Sequence, residues 1–175
     1  MTANTQITSE QREAAELEIR EKQKLIDYDT RDYSVEMLMR KYLDGIKNNK
    51  NKLFIPAYQR KFVWDERRQS EFIESILLGF PISSLIFAKD RNSERLEIID
   101  GGQRIRTLAN FLNNEFKLKN LKEIKKLNGF RFSDLPLARQ KRFQRSTLRA
   151  IVLTDNTNED VIQSIFECIN NTGGV

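Results

Sequence analysis

Ile99-Asp100-Gly101-Gly102-Gln103-Arg104 is the stretch from which the rest of the chain can be read. A short apolar run, Arg95-Leu96-Glu97-Ile98-Ile99, leads into it as a strand. Ile105-Arg106-Thr107-Leu108-Ala109-Asn110-Phe111-Leu112 leads out with the spacing of a helix face. The glycines let the backbone turn tightly and approach a ligand closely. The opening of a helix offers unpaired N–H groups and the positive end of its dipole to an anion. Arg104, with Arg106 one step further, would add forked donors suited to phosphate oxygens. Asp100 stands at a strand end, where a carboxylate can serve a metal or a water. The same residues also fit a tight turn whose Asp caps the helix, and both readings stand at this point.

Working backward from this turn, Leu85-Ile86-Phe87-Ala88 reads as a strand that Asp90-Arg91-Asn92-Ser93 turns back into Arg95–Ile99, a hairpin. Before it, Asp65 is a good cap for a helix whose buried face is Phe72, Ile73, Ile76 and Leu77, with Gly79 ending it and Pro81 preventing its resumption. Leu53-Phe54-Ile55-Pro56 reads as a short strand stopped by proline. It delivers Ala57-Tyr58-Gln59-Arg60 and then Phe62-Val63-Trp64. Ser34 caps a helix with Val35, Leu38 and Met39 on one face. Residues 8–26 predict a highly charged helix with a thin apolar stripe, so residues 1–33 are assigned to a helical arm or linker.

Working forward, Phe116-Lys117-Leu118 predicts a short strand. Ser133-Asp134-Leu135-Pro136 opens a helix toward Arg145. Leu148–Leu153 is apolar at nearly every position, as in a buried strand. Thr157-Asn158-Glu159-Asp160 opens a last helix through Val161, Ile162, Ile165, Phe166 and Ile169. Short strands and helices alternate without a regular βαβ repeat, which predicts a compact α+β domain with a small mixed sheet over residues 34–175.

Composition limits the chemistry. The chain has 175 residues, 39% hydrophobic and 31% charged, which suits one domain with an arm. There is one cysteine, Cys168, and no histidine. Internal disulfides, Cys-rich zinc sites, histidine-ligated metals and Ser-His-Asp triads are thereby excluded within this sequence. No apolar run is long enough to span a bilayer and the N-terminus is not a signal peptide, so no membrane partner and a cytoplasmic location are expected. The net charge of +5 is unevenly placed. Residues 117–149 hold eleven Lys/Arg against two acids, a local net of +9, whereas residues 150–175 hold four acids and no base. Such a segment attracts a polyanion, with Lys125, Lys126, Lys141 and Arg142 as candidate DNA contacts; solvated helix faces are the plainer alternative.

Several spaced motifs together carry a family resemblance. Ile55-Pro56-x-Tyr58-Gln59-Arg60, Phe62-x-Trp64, Ser75-Ile76-Leu77-Leu78-Gly79-x-Pro81 and Asp100-Gly101-x-Gln103-Arg104-x-x-Thr107-Leu108 occur in order, followed by Phe132-Ser133-Asp134-Leu135-Pro136 and Phe166-x-x-Ile169-Asn170-x-Thr172-Gly173. This pattern resembles the N-terminal domain of GmrSD-type modification-dependent restriction endonucleases, in the ParB/sulfiredoxin-like superfamily. The family's signature is Asp-Gly-Gln-Gln-Arg; here Gly102 stands for the first Gln, which removes one amide.

The resemblance implies an NTP-binding sensor or regulatory domain of an anti-phage restriction system that recognises modified phage DNA, with NTP hydrolysis as a further expectation. It implies a site built from Tyr58, Gln59 and Arg60 together with Asp100, Gly101, Gly102, Gln103 and Arg104. In that site Asp100 would hold Mg²⁺ or orient water, and Arg104 and Arg60 would clamp phosphates; the amides of Gln59 and Gln103 can hold a water or a base edge, or simply bond backbone. Asn170 is a second candidate metal ligand, with a helix C-cap as its plainer role. DNA cleavage in the family belongs to a His-Asn-His domain, which a chain without histidine must find elsewhere. The family continues past Asn-x-Thr-Gly-Gly, so this sequence is expected to lack the usual C-terminal continuation. A DNA-binding module without turnover and a ParB-like nuclease centred on Asp100 are the competing expectations.

Overall fold

The computed structural model of the chain describes residues 6–23, 26–59 and 61–172, with the backbone alone at 170–172. Its centre is the hairpin of β3 (Leu85–Lys89) and β4 (Leu96–Asp100), antiparallel, with Phe87 opposite Ile98 and a register shift beside Ile86. Three more strands complete a mixed sheet in the order β1-β5-β3-β4-β2. β5 (Thr147–Leu153) runs parallel to β3, and the two-residue β2 (Leu53–Phe54) runs parallel to β4. β1 (Tyr28–Ser34) forms the far edge, antiparallel to β5. With this mixed sheet and six α-helices among the described residues, the α+β class expected from the sequence is the one observed.

The alternation of side chains along the strands divides the apolar residues between two cores. Phe87, Ile98, Ala150 and Val152 face the larger one. There α2 (Val35–Leu43), α3 (Glu66–Leu78) and α4 (Gly102–Leu112) contribute Leu38, Ile73, Ile105, Leu108 and Phe111, and α5 (Leu137–Arg145) adds Phe143. Ala88, Ile99 and Leu153 face the other way, under Ile162, Ile165 and Phe166 of α6 (Glu159–Thr172). β5 is apolar on both faces for this reason. Caps fix the helix ends as the sequence predicts. Ser34 Oγ accepts from Met37 N at 3.1 Å, Asp65 Oδ1 accepts from Arg68 N at 2.8 Å, and Gly79 closes α3 in the left-handed conformation at φ 73°.

Two expectations differ from what is observed. The sheet begins inside the segment assigned to the arm, since Tyr28–Ser34 pairs with the whole of β5. Its Tyr-Asp-Thr-Arg-Asp-Tyr-Ser sequence carries charges at an exposed edge, which hides a strand from an apolar-period reading. Phe116–Leu118 is not a strand. Leu118 N–H donates to the Phe130 carbonyl at 2.8 Å and the Leu118 carbonyl accepts from Gly129 N–H at 2.6 Å, but no ladder follows. The chain beyond is held by buried Glu74 of α3, whose carboxylate accepts from the N–H groups of Lys122, Glu123 and Ile124 at 3.3, 2.9 and 2.8 Å. The helix at the N-terminus, α1 (Ser9–Lys22), contributes no buried residue. No helix among the described residues is long and apolar enough to cross a membrane.

Candidate functional site

β4 ends at Asp100, Gly101 takes φ 112°, and α4 starts at Gly102. The turn is built for glycine at the first position. A Cβ on Gly101 would overlap Leu85 Cδ2, and its positive φ strains any L side chain. At Gly102 φ is ordinary, and an added Cβ would meet only Gln59 Oε1 at 3.6 Å and Ile55 at 3.8 Å. Only the first glycine is therefore demanded by backbone geometry. The N-cap of α4, Gly101, provides no side-chain cap, in contrast with Ser34 of α2 and Asp65 of α3. Its first-turn N–H groups thus lack the side-chain acceptor that closes those helices.

This helix start opens into a cleft of about 560 Å³. Three further walls surround it: residues 58–59 with 61–64, the first turn of α3 and the end of α6. Tyr58, Trp64 and Phe166 give it aromatic surfaces, and Lys61 and Arg68 give it cations. Tyr58 packs edge-on against Phe166, with ring centroids 4.9 Å apart, and its hydroxyl donates to Glu97 Oε1 at 3.0 Å. Burial against these neighbours, with Glu97 alongside, pushes the phenol pKa well above its ordinary value, so the ring stays neutral. Arg68 stacks over Trp64, 5.0 Å from the ring centre.

The residues marked on the sequence meet here, with two outside the described set. Tyr58, Gln59, Asp100, Gly101, Gly102, Gln103 and Arg104 all line the cleft. Arg60 and the side chain of Asn170 lie outside the described residues. Gln59 and Gln103 bond backbone groups, the plainer of the two roles open to their amides. Gln59 Nε2 donates to the Ile99 carbonyl at 2.9 Å, tying the 57–59 turn to β4. Gln103 Oε1 accepts from Val63 N at 3.0 Å and Trp64 N at 3.2 Å, and its Nε2 donates to the Lys61 carbonyl at 3.0 Å. Gln103 thus holds the 61–64 segment across the helix start.

Arg104 turns inward. Its Nη2 donates to Asp100 Oδ2 at 3.1 Å and to the Ser84 carbonyl at 3.4 Å, and Nη1 donates to the Ser83 carbonyl. Only 11% of the side chain is exposed, against 37% for Asp100. Burial pushes the guanidinium pKa below its ordinary value and Asp100 opposes that shift; an arginine stays charged throughout. In this arrangement Arg104 fastens the 83–84 loop to Asp100. Lys61 and Arg68 line the cleft as well, two cations that sequence reasoning did not single out. Arg68 follows Trp64 by four residues and Asp65 by three, a helical spacing that could have marked it as a neighbour of the aromatic.

Asp100 is the one carboxylate among the described lining residues, and among the described residues no three acidic, Cys or His side chains are grouped so that they could hold a metal ion. That donor set does not build a protein cage for a metal. It fits a magnesium ion whose other ligands are phosphates and water, with Asp100 as its protein anchor.

The basic segment lies elsewhere. Lys125 and Lys126 are exposed on a short 3-10 turn, and Lys141 and Arg142 are exposed on α5. Lys119, Lys122 and Arg149 of the same segment are occupied by Glu66, Glu71 and Asp32. α4 connects the two regions. Its N-terminus opens the cleft, and its C-terminus leads, about 16 Å away, into the basic segment.

A family model described as GmrSD restriction endonuclease, N-terminal domain, matches residues 39–174. No curated protein matches the chain. One similar solved structure is that of the C-terminally truncated chromosome-partitioning protein ParB from Caulobacter crescentus complexed with CTP-gamma-S. It has 11% sequence identity and a TM-score of 0.41, with 84% of this chain and 54% of that chain covered. This chain therefore spans about half the length of that one.

Proposed function

From its place in the family of GmrSD restriction endonuclease N-terminal domains, to which this chain belongs, we propose that the chain is the nucleotide-binding sensor domain of a DNA restriction system. One observation carries the reading. An α4 N-terminus without a side-chain cap from left-handed Gly101 opens into a cleft that combines aromatic walls with the cations Lys61, Arg68 and Arg104. First-turn N–H groups and the helix dipole suit phosphates, and aromatic faces suit a base. Lys61 and Arg68 supply charge from the opposite wall.

Within this reading, a Mg²⁺ carried by the triphosphate would be anchored by Asp100 and would neutralise phosphate charge. Asp100 would also orient a water for hydrolysis, and Gln103 shapes the cleft by holding residues 61–64. Arg104 acts on phosphates through Asp100, by fixing the carboxylate. Arg60 and Asn170 remain candidate ligands from the sequence alone. DNA, including modified phage DNA, is the second partner, met by the exposed cations of 117–149. A nuclease domain or subunit would supply the cutting, since the sequence has no histidine for a His-Asn-His centre.

The test is calorimetric titration of each NTP with Mg²⁺ into the folded protein, followed by phosphate release with and without duplex DNA. Saturable heat with at least one NTP is expected. A protein that melts cooperatively yet gives no heat with any NTP overturns the nucleotide reading. DNA cutting by the pure chain, lost in Asp100→Ala, would establish the nuclease alternative instead.

A further inference from the structure

A second concavity, of about 520 Å³, lies at the opposite end of β4. Asp100 lines the cleft described above and Leu96 lines this one, so about 13 Å of strand separates them. Five cations from five segments converge here: Arg31 of β1, Lys41 of α2, Lys52 before β2, Lys89 at the end of β3, and Arg91 in the hairpin turn. The register explains part of this convergence. Arg31 lies opposite Ala150 and Lys89 opposite Leu96, both core-facing positions, so the two cations sit on the same sheet face where the core runs out.

Their partners are few. Arg31 pairs with Asp29 at 3.2 Å, and Arg91 donates to the Thr157 carbonyl at 3.1 Å. Lys41 stands over the Tyr33 ring at 6.0 Å. Among the described residues, Lys41, Lys52 and Lys89 form no ion pair. Three acids also line the concavity. Asp90 accepts from Ser93 Oγ within the turn, while Glu94 and Asp155 stand at the wall with no ion pair among the described residues. The balance remains positive, and the described lining residues include no aromatic.

We infer that this concavity holds backbone phosphates of duplex DNA, as a contact surface separate from residues 117–149. The chemistry separates it from the nucleotide cleft. Without an aromatic face there is nothing on which a base can stack, whereas flexible lysines act as point charges that position a phosphate backbone without reading sequence. The inference rests on DNA being a partner of this domain.

The experiment is fluorescence anisotropy of a labelled duplex with the full chain over a salt series. It compares the wild type with Lys52→Ala/Lys89→Ala and with a matched loss of charge on α1, Arg12→Ala/Lys22→Ala. Lys52 and Lys89 are exposed, so the double variant should melt as the wild type does. Loss of two phosphate contacts should weaken binding about tenfold at low salt and reduce the slope of log affinity against log salt by about 2. The α1 variant should bind like the wild type, and NTP titration of the Lys52/Lys89 variant should be unchanged. An unaltered affinity and slope in the Lys52/Lys89 variant overturns this site while leaving DNA binding by 117–149 standing. Equal losses in both variants would show a net-charge effect, and equally tight, lysine-dependent binding of polyglutamate would show an acidic protein partner; either result overturns it. A wild type that binds no duplex removes the DNA partner altogether.

Discussion

Arg104 and Asp100 form an ion pair across the first turn of α4, Nη2 to Oδ2 at 3.1 Å, with the arginine the more deeply buried of the two. The pair encloses the helix start from behind. Arg104→Ala is therefore expected to act on stability first. It strips partners from Asp100 and from the Ser83 and Ser84 carbonyls, at about 2 kcal/mol for lost charge-assisted bonds. Arg104→Lys should recover only part of this, because a point charge cannot serve three acceptors held in a fork. Denaturant unfolding measures both. Wild-type stability in Arg104→Ala together with weakened NTP binding would return this arginine to the role of direct phosphate ligand.

Glu74 gives a pH-dependent expectation. Burial alone would raise its pKa, but three backbone N–H donors and nearby Lys122 outweigh that effect and hold the carboxyl below its ordinary value. A carboxyl depressed in the folded state stabilises the fold above its unfolded pKa, and that contribution is lost as pH falls through the folded value. Glu74→Gln should thus lower stability by about 1–3 kcal/mol at neutral pH. The gap from the wild type should narrow as the pH is taken from 7 to below 4.5, the ordinary value for the group. Thermal melts across that range read the gap directly, and a constant gap would show that the charge is not what holds residues 122–124.

Local signals in the sequence were the ones that carried through to the structure. Ser34, Asp65 and Gly79 act within a few residues of themselves, so their helix boundaries could be read from the chain. The strand, glycine and helix around Asp100 could be read for the same reason. What could not be read depends on distant partners. Nothing near Arg104 in sequence announces that residues 83–84 will cover it, or that Gln103 will bond residues 61, 63 and 64. Phe166 was legible as a core residue of an amphipathic helix. Its second role, as a wall facing Tyr58, needed the fold. β1 escaped because an exposed edge strand has no apolar period to show.

The basic segment gives an expectation on salt. Exchange of Lys125, Lys126, Lys141 and Arg142 for Glu should abolish a retarded duplex band and leave the fold intact, since all four side chains are exposed and none forms an ion pair among the described residues. Wild-type binding should be weak, indifferent to sequence and steeply salt-dependent. Gel retardation at two salt concentrations tests it. Unchanged retardation by the exchanged protein would mean that the +9 segment is a solvated face.

The two glycines at the helix start should behave in opposite ways. Gly101→Ala places a side chain at φ 112° and into Leu85, so it should cost about 1–3 kcal/mol and loosen the cleft with it. Gly102→Ala meets only ordinary contacts and gains helix propensity, so its stability should match or exceed the wild type by up to about 1 kcal/mol. Gly102→Gln goes further. Its Cβ would point toward Gln59 Oε1, so a longer amide there can reach a second polar group at the cleft wall, in the position where the resembled signature carries glutamine. With the fold unharmed, the variant should bind NTP at least as tightly as the wild type and turn it over faster if the missing amide limits hydrolysis. Asp100→Ala provides the contrast, with hydrolysis suffering more than binding if the carboxylate serves the metal or the water. Calorimetric titration and phosphate release on the wild type and these variants separate the cases. Equal loss of NTP binding in Gly102→Ala and Gly101→Ala would show that backbone approach at position 102, and not a vacant amide, is what the site requires.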